Sequence, residues 1–512
     1  MAQITSSETH DVKAIHQDHS LHDEKTLDSS KSMDVGEVAE RPLKPFTVWS
    51  AMSLGYSISN SGLGMVLIVG STVFGAGPLF IYGTILITLI TFCVAITLGE
   101  LASAYPHAGG QYFWVAQLST PRHRRFFSYM IAIISWAAVI CIGASSCSAI
   151  STTVFALVGI TRPDFVYKQW MGFLVFIVAN WTATLMVLYE RIIPAMSNTF
   201  LVISLVTITA TFICLLAPST EKASAGLVFG TEGYFNVSGW PNGVAFLIGI
   251  SGVNWGFSCL DAATHLAEEI PQPQKNIPKA LLWTVAMGFI VAFPINVAMF
   301  FKATDLENTV SIFYLLYTSY RQNSTPAIVL GSFMVLATWG ALIGMHTWQS
   351  RIVWSLSRDK GFPFHSHMSR LAPAPFRTPL WAILWGSCWV TVCGFLYLGS
   401  TTAFNSFISA GIVLQYVSYA TPAALLLIKG RQHFPKGPFW WPKFGPIANV
   451  VVIAWTLIIT VFYSFPLFLP VHATDMNYLA CVVVFAFLYA GAYWVLYAHK
   501  RYRIGDFGAV LE

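Results

Sequence analysis

The chain has 512 residues and is 55% hydrophobic, 15% aromatic and only 10% charged, with a mean hydropathy of +0.62. Soluble domains carry about 25% charged residues, so this composition excludes a string of soluble domains and indicates one integral membrane unit. The net charge of +5 is no sign of nucleic acid, because the basic residues are spread through short loops between apolar runs.

Residues 1–45 differ in kind from the rest. They are rich in His, Asp, Glu, Ser and Lys, lack apolar periodicity and lack the apolar core of a signal peptide. This composition predicts a disordered cytoplasmic tail. Apolar stretches of the ~20 residues needed to cross the hydrocarbon core then follow near 46–70, 77–102, 126–157, 167–189, 192–217 and 241–267. A second set lies near 279–301, 326–354, 379–398, 403–428, 446–468 and 477–499, leaving 501–512 as a short cytoplasmic tail. The expected fold is therefore all-α with about twelve transmembrane helices.

Charge bias sets the orientation. With the N-terminus inside, the outer loops hold only Arg162, Lys168, Lys222, Lys302 and Arg321 among the cations beyond the tail; the others face the cytoplasm. This asymmetry satisfies the positive-inside rule with both termini cytoplasmic, and an odd number of spans would scramble it. Two glycosylation sequons, at Asn236 and Asn323, fall in outer loops, whereas a third at Asn180 lies inside span four and is expected to be inert. No loop is long enough for a catalytic domain, so any chemistry belongs to the bundle.

Within span one, Ile58–Gly64 reads ISNSGLG, and within span six, Ile250–Phe257 reads ISGVNWGF. Gly is costly inside a helix, and Ser and Asn compete for its backbone hydrogen bonds. Small residues also serve plain helix packing. Yet the two clusters sit five spans apart, opening each half of a ten-helix core. Paired interruptions of this kind mark the substrate site of inverted-repeat transporters. Breaks at Ser59–Gly64 and Ser251–Phe257 would expose N–H groups to an anionic or acceptor group and carbonyls to an ammonium. Trp255 and Phe257 are placed to stack on a cationic solute or to close over it.

Ionisable groups inside spans are few. Asp261 lies well inside span six, and His265 follows at i+4 on the same helical face. An intramembrane carboxylate beside a histidine is a candidate carrier of a coupling proton, with a structural polar latch as the alternative. His346 in span eight is a second candidate. The eight cysteines all lie in apolar runs without metal-ligand spacing, so no metal or cofactor is expected. A membrane-embedded enzyme would need a polar catalytic cluster that these few residues do not form, and a channel would want a charged or polar pore ring.

GELASAYPHAGGQYFW (Gly99–Trp114), LAEEIPQPQKNIPKAL (Leu266–Leu281) and SRDKGFP (Ser357–Pro363) resemble the amino acid–polyamine–organocation superfamily. The pair SNSGLG and DAATHLAEEIPQPQKNIPKA is most similar to its fungal amino acid/choline branch, which includes GABA and choline permeases. The likeness covers roughly residues 45–500. It implies a five-plus-five inverted-repeat core, repeat one about 46–217 and repeat two about 241–428, with peripheral helices about 446–499. It also implies alternating access and a solute held by Ser59, Asn60, Ser61, Gly62, Ser251, Gly252, Asn254 and Trp255, with Ser145, Ser146 and Thr338 completing the pocket. In the loop after span six, Pro271, Pro273 and Pro278 are expected to end that span and start the next, while Glu268 and Glu269 pair with Lys275 and Lys279 as a cytoplasmic latch. GGQYFW is expected to form a short cytoplasmic helix. Some prokaryotic members carry a lysine on span five, absent here, so the resemblance leaves the coupling ion open, a proton being the expectation over sodium. The implied partners are a small amine or amino acid and membrane lipid. The alternative is an alkaloid-like secondary metabolite, with export as well as import open. A plasma membrane location is expected, with the vacuole or another internal membrane as alternatives.

Overall fold

The computed structural model describes residues 46–309, 311–399, 401–472 and 476–504. The expected N-terminal tail and all but the start of the expected C-terminal tail lie outside the described residues. Among the described residues the secondary structure is helical, with one isolated antiparallel bridge between Phe74 and Asn236.

Among the described residues, eleven helices are long and apolar enough to cross a membrane. Numbered by span, the first five are α1 in two halves, α1a (Val48–Ser59) and α1b (Ser61–Leu67), then α2 (Ala76–Ala104), α3 (Arg124–Thr161), α4 (Gln169–Val187) and α5 (Ile193–Leu216). The second five are α6, comprising α6a (Asn242–Trp255) and the 3-10 segment α6b (Leu260–Leu266), then α7 (Pro273–Lys302), α8 (Thr325–Arg358), α9 (Leu380–Gly399) and α10 (Thr401–Lys429). Two more, α11 (Phe444–Phe462) and α12 (Leu479–Tyr493), complete the bundle. Only α1 misses the length criterion, because Asn60 divides it, so the bundle has the twelve spans expected. GGQYFW does form a short helix, Gln111–Leu118, but Pro278 lies inside α7 rather than before it.

Spans five apart in the chain pack against one another. α2 lies along α7 and α3 along α8; α1a meets α6b, and α1b meets α6a. α11 packs on α2 and α10, and α12 on α3 and α10, outside the core. Apolar side chains such as Leu174, Val178, Val206, Leu457, Phe485 and Leu488 are exposed, in the manner of a surface solvated by lipid tails.

Asn60 (φ 42°, ψ 52°) makes the break in α1. Asparagine tolerates the left-handed region better than other side-chain-bearing residues. Its N–H still bonds to the Tyr56 carbonyl and its own carbonyl accepts from Gly64, so the chain turns without stranding either group. In α6 the helix runs unbroken through Ser251, Gly252 and Asn254. The interruption is Gly256–Cys259, which overlaps only the last two residues of the expected Ser251–Phe257 break and runs two residues past it. Cys259 takes φ 68°, a strained setting for a non-glycine residue. Its N–H, freed by the break, donates to the Gln415 Oε1 on α10 at 3.2 Å.

Candidate functional site

The two breaks touch. A Cβ added at Gly64 would lie 2.8 Å from the Gly256 Cα, so the backbones meet with no room for a side chain. Beside this contact is a small cavity of about 30 Å³ lined by residues including Ser59, Asn60, Gly64, Trp255, Ser258 and Cys259. Ser146 on α3 and Thr338 on α8 also line it, as the resemblance implies. It has room for about two waters.

Beside it, on the side of α1b and α6a, is a cavity of about 540 Å³. Its walls come from α1b and the turn after it, α3, α6a, α10 and the α11–α12 loop, and include Ser145, Ser251 and Gly252. Trp255 lines both cavities, and its indole Nε1 donates to Ser145 Oγ at 3.0 Å. With Leu67, which also lines both, the indole therefore separates an open vestibule from the space at the helix breaks.

Other expected contact residues point elsewhere. Asn254 is fully buried; its amide donates to the Tyr463 hydroxyl at 3.1 Å and accepts from Tyr416 at 3.2 Å, fastening α6a to α10 and to the end of α11. Gly62 faces Val291 on α7 and Ile208 on α5, and the Ser61 hydroxyl and Phe257 ring both face Gly288 on α7. These four hold the broken helices in place and line neither cavity. Asn60's side chain likewise accepts from Ser204 Oγ on α5 at 2.6 Å. Ser258, Cys259 and Gly64 were not anticipated as lining residues.

On the side of α1a and α6b the site is closed by polar contacts. Asp261 is 1% exposed and held by Gln111 (2.6 Å) from the loop helix and by Gln415 (3.0 Å) and Tyr419 from α10. His265 Nε2 stands 3.6 Å from the same carboxylate, as the i+4 spacing predicts, and its Nδ1 lies 2.8 Å from the Ala108 carbonyl. His265 Nε2 has no hydrogen-bond partner among the described residues. His346, fully buried on α8, contacts Gln349 and lines neither cavity.

Glu268 and Glu269 do form ion pairs, but with different partners from those expected. Glu269 pairs with Arg351 of α8 through two bonds of 2.7 and 3.1 Å, both residues 2% exposed. Glu268 pairs with Arg358 at the end of α8. Lys275 and Lys279 form no ion pair with either carboxylate. Burial alone would raise the Glu268 carboxyl, but the Arg358 guanidinium more than offsets this and holds it below its ordinary range. Nearby, burial drives the His107 imidazole down to about 4, with Glu268 only partly opposing. His107 stacks on Phe113 at 4.0 Å, and its Nδ1 accepts from the Gly109 N–H.

The segment after α12 joins the same closure. Tyr502 is fully buried; its hydroxyl meets Ser128 Oγ at 2.8 Å and its carbonyl accepts from Arg125. The Arg503 N–H donates to the Asp359 carbonyl, and the Asp359 carboxylate accepts from Tyr112 at 3.0 Å. Both sequons lie on loops between spans, Asn236 before α6a and Asn323 before α8. Asn323 is exposed, whereas the Asn236 amide nitrogen donates to the Trp240 carbonyl (2.8 Å) and Asn242 Oδ1 (3.0 Å).

Comparison with known proteins identifies the family. The chain is 41% identical over 468 residues to a swainsonine transporter of Arthroderma benhamiae, covering 90% of this chain and 92% of that one. A transmembrane transporter of Metarhizium robertsii is 40% identical over 464 residues, with the same 90% and 92% coverage. The choline transporter of Saccharomyces cerevisiae is 38% identical over 476 residues, 91% of this chain and 84% of the relative. The amino acid permease family matches residues 46–487, and the chain belongs to that family.

Proposed function

We propose that the protein is a proton-driven secondary carrier of a small amine, working by alternating access around the contact between its two broken helices. The observation that carries this reading is the asymmetry of the site. A 540 Å³ cavity opens on one face, while the Glu269–Arg351 pair and the Asp261 cluster close the other. A carrier, unlike a channel, keeps one side shut while the other is open. In this reading the termini face the cytoplasm and the vestibule faces outward, as the charge bias requires. The plasma membrane is the proposed site, and the ten core spans form the proposed repeats of five.

The solute enters the vestibule, displaces the Trp255 indole from Ser145 and reaches the breaks. Cys259 then links the solute to the inner closure, because Gln415 holds both the Cys259 N–H and the Asp261 carboxylate. Movement of α6b on solute arrival therefore pulls on Asp261. Protonation of Asp261 removes the charge that Gln111, Gln415 and Tyr419 stabilise, and so loosens the same closure. The relatives' substrates, choline and swainsonine, favour an amine over other solutes. The swainsonine transporter supports a second reading of the same site, in which the solute is a secondary metabolite and the direction is export.

The test is uptake of labelled choline and GABA into a yeast lacking its own permeases, from pH 5 to 8. Acid-stimulated uptake that is lost in Asp261→Asn supports the proton-coupled reading. Unchanged pH dependence in a folded Asp261→Asn protein contradicts it.

A further inference from the structure

Three arginines at one end of the bundle are neutralised by its own carboxylates: Arg351 by Glu269, Arg358 by Glu268 and Arg431 by Glu100. One group of cations at that end departs from this. Arg122 and Arg125 at the start of α3 meet Lys500, Arg501 and Arg503 after α12. Arg125 joins the two segments, although it is 374 residues from His499 in the chain. Its Nη2 donates to the His499 carbonyl at 3.0 Å and to the Tyr502 carbonyl at 2.6 Å, and its Nε to the latter at 3.0 Å. The Tyr502 hydroxyl on Ser128 Oγ fixes the same junction from within. All five cations are exposed, and among the described residues none forms an ion pair. Asp359, whose carbonyl takes the Arg503 N–H, directs its carboxylate to Tyr112.

Like charges held together repel, and the positive-inside rule asks only that cations stand on one side, not that they gather at one point. A gathering of four or more Lys and Arg just beyond a span is instead the pattern that recruits anionic lipid. Two of these cations are placed in advance. The Arg125 guanidinium carbon lies 5.9 Å from the Trp494 ring centroid and that of Arg501 5.2 Å from the Tyr497 ring, so each has less freedom to lose on binding. Trp494 and Tyr497 belong to a π-helical turn, Trp494–Ala498, a rare geometry that recurs at functional sites. The neighbouring surface distinguishes a lipid from a free anion. Val495 and Leu496, about one turn before Lys500, are 66% and 81% exposed, and Phe126 and Phe127 are exposed beside Arg125. Phe126 stands edge-on to Trp494 at 5.5 Å, so an apolar wall runs on from the cations. A free phosphate would use the cations alone; a lipid uses both.

We infer that this surface binds an anionic phospholipid with a multiply phosphorylated headgroup, taken from the leaflet that α3 enters. Its phosphates lie on Arg122, Lys500, Arg501 and Arg503, and its chains run along α3 and α12. The headgroup is multiply phosphorylated because five cations without ion-pair partners exceed what one phosphodiester charge can offset. The site exists only while the segment after α12 is docked on α3, since Arg125 and Tyr502 hold the two sets of cations together.

The experiment is native mass spectrometry of the purified full chain in detergent, titrated with phosphatidylinositol bisphosphate, phosphatidylcholine or free inositol trisphosphate. Each cation at an anionic surface contributes about fivefold to affinity. The expected result is one bisphosphate lipid bound about 100-fold more tightly than phosphatidylcholine, with the free headgroup weaker than the lipid. The triple variant Arg122→Gln, Lys500→Gln, Arg501→Gln weakens that lipid about 100-fold. A charge-matched control, Arg191→Gln, Lys275→Gln, Lys279→Gln, removes three exposed cations elsewhere and leaves binding within about threefold. If the first triple variant does not stay monodisperse, Lys500→Gln alone decides, with a loss of about fivefold. Equal loss in the two triple variants, or no loss in the first, overturns the inference. So does phosphatidylcholine bound as tightly as the bisphosphate lipid, or free inositol trisphosphate bound as tightly as either.

Discussion

Replacing Arg351 by Met should open the inner face. In this conformer Arg351 and Glu269 are both buried and joined by two short hydrogen bonds. Removing one partner of such a pair leaves an uncompensated charge and costs about 3–5 kcal/mol. The pair bridges the loop after α6b to α8, so that cost falls on the inner-closed state and not on a state in which the carboxylate is hydrated. Three kcal/mol corresponds to a shift of about 100-fold toward the inward-open population. Arg351→Met also removes the counter-charge that Arg351 supplies to Glu190, whereas Glu269→Gln leaves Arg351 with Glu190 as a residual partner. The Arg351 variant should therefore be the more severe. The assay is thiol labelling of two single-cysteine reporters, with the native cysteines' background subtracted. Ser357→Cys reports the inner face, where the residue is 2% exposed, and Thr152→Cys reports the vestibule. Arg351→Met should speed labelling at 357 and slow it at 152, and Glu269→Leu combined with Arg351→Met should recover most of the original pattern. Unaltered labelling at both reporters in a folded Arg351→Met protein would refute the latch.

The inner closure should also weaken in acid through His107. Its value of about 4, against an ordinary 6.5, means that the released histidine binds the extra proton in the window between them. The contribution of neutral His107 is full above pH 6.5 and is lost as pH falls toward 4, up to about 3 kcal/mol if burial is wholly relieved on opening. Labelling at 357 should accelerate over that window and flatten in His107→Gln. At the contact between the breaks, Gly64→Ala should cost more transport than Gly256→Ala. The first pushes on the Gly256 backbone, and the second chiefly on the flexible end of Met65. Both can be compared by initial uptake rates at matched surface expression. Of the two sequons, exposed Asn323 should carry glycan and Asn236, whose amide is already bonded twice, should not; a mobility shift lost in Asn323→Gln alone checks this.

The sequence showed some of this plainly and hid the rest for definable reasons. The spans were legible because every residue facing lipid must be apolar. The first break was legible because SNSG puts an asparagine where only the left-handed conformation turns the chain. The second was misplaced. Gly252 and Asn254 resemble helix breakers, yet Gly252 admits the close approach of Ser71 and Asn254 anchors two tyrosines, both inside an intact helix. What breaks α6 is set in part by Gln415, 156 residues away, which takes the Cys259 N–H. The latch failed similarly. Lys275 and Lys279 are near Glu268 and Glu269 in sequence, but the chain turns away at Pro271–Pro273 and delivers α8 instead. Arg351 could have been suspected, as a charge flanked by apolar residues within a helical run. Of the vestibule hydroxyls, Ser145 and Ser251 were anticipated, whereas Ser148, Thr152 and Thr153 were not, because a serine or threonine that bonds to its own helix and one that faces a cavity look alike in sequence.

The central claim is that solute crosses by a cycle in which only one face is open at a time. Counterflow tests it most directly. Proteoliposomes holding the purified chain are loaded with unlabelled choline, and entry of a trace of labelled choline is followed without any ion gradient. The account requires transient accumulation of label above equilibrium, saturating with internal choline and lost in Gly64→Val. Entry that rises linearly with concentration and ignores the internal solute would contradict it.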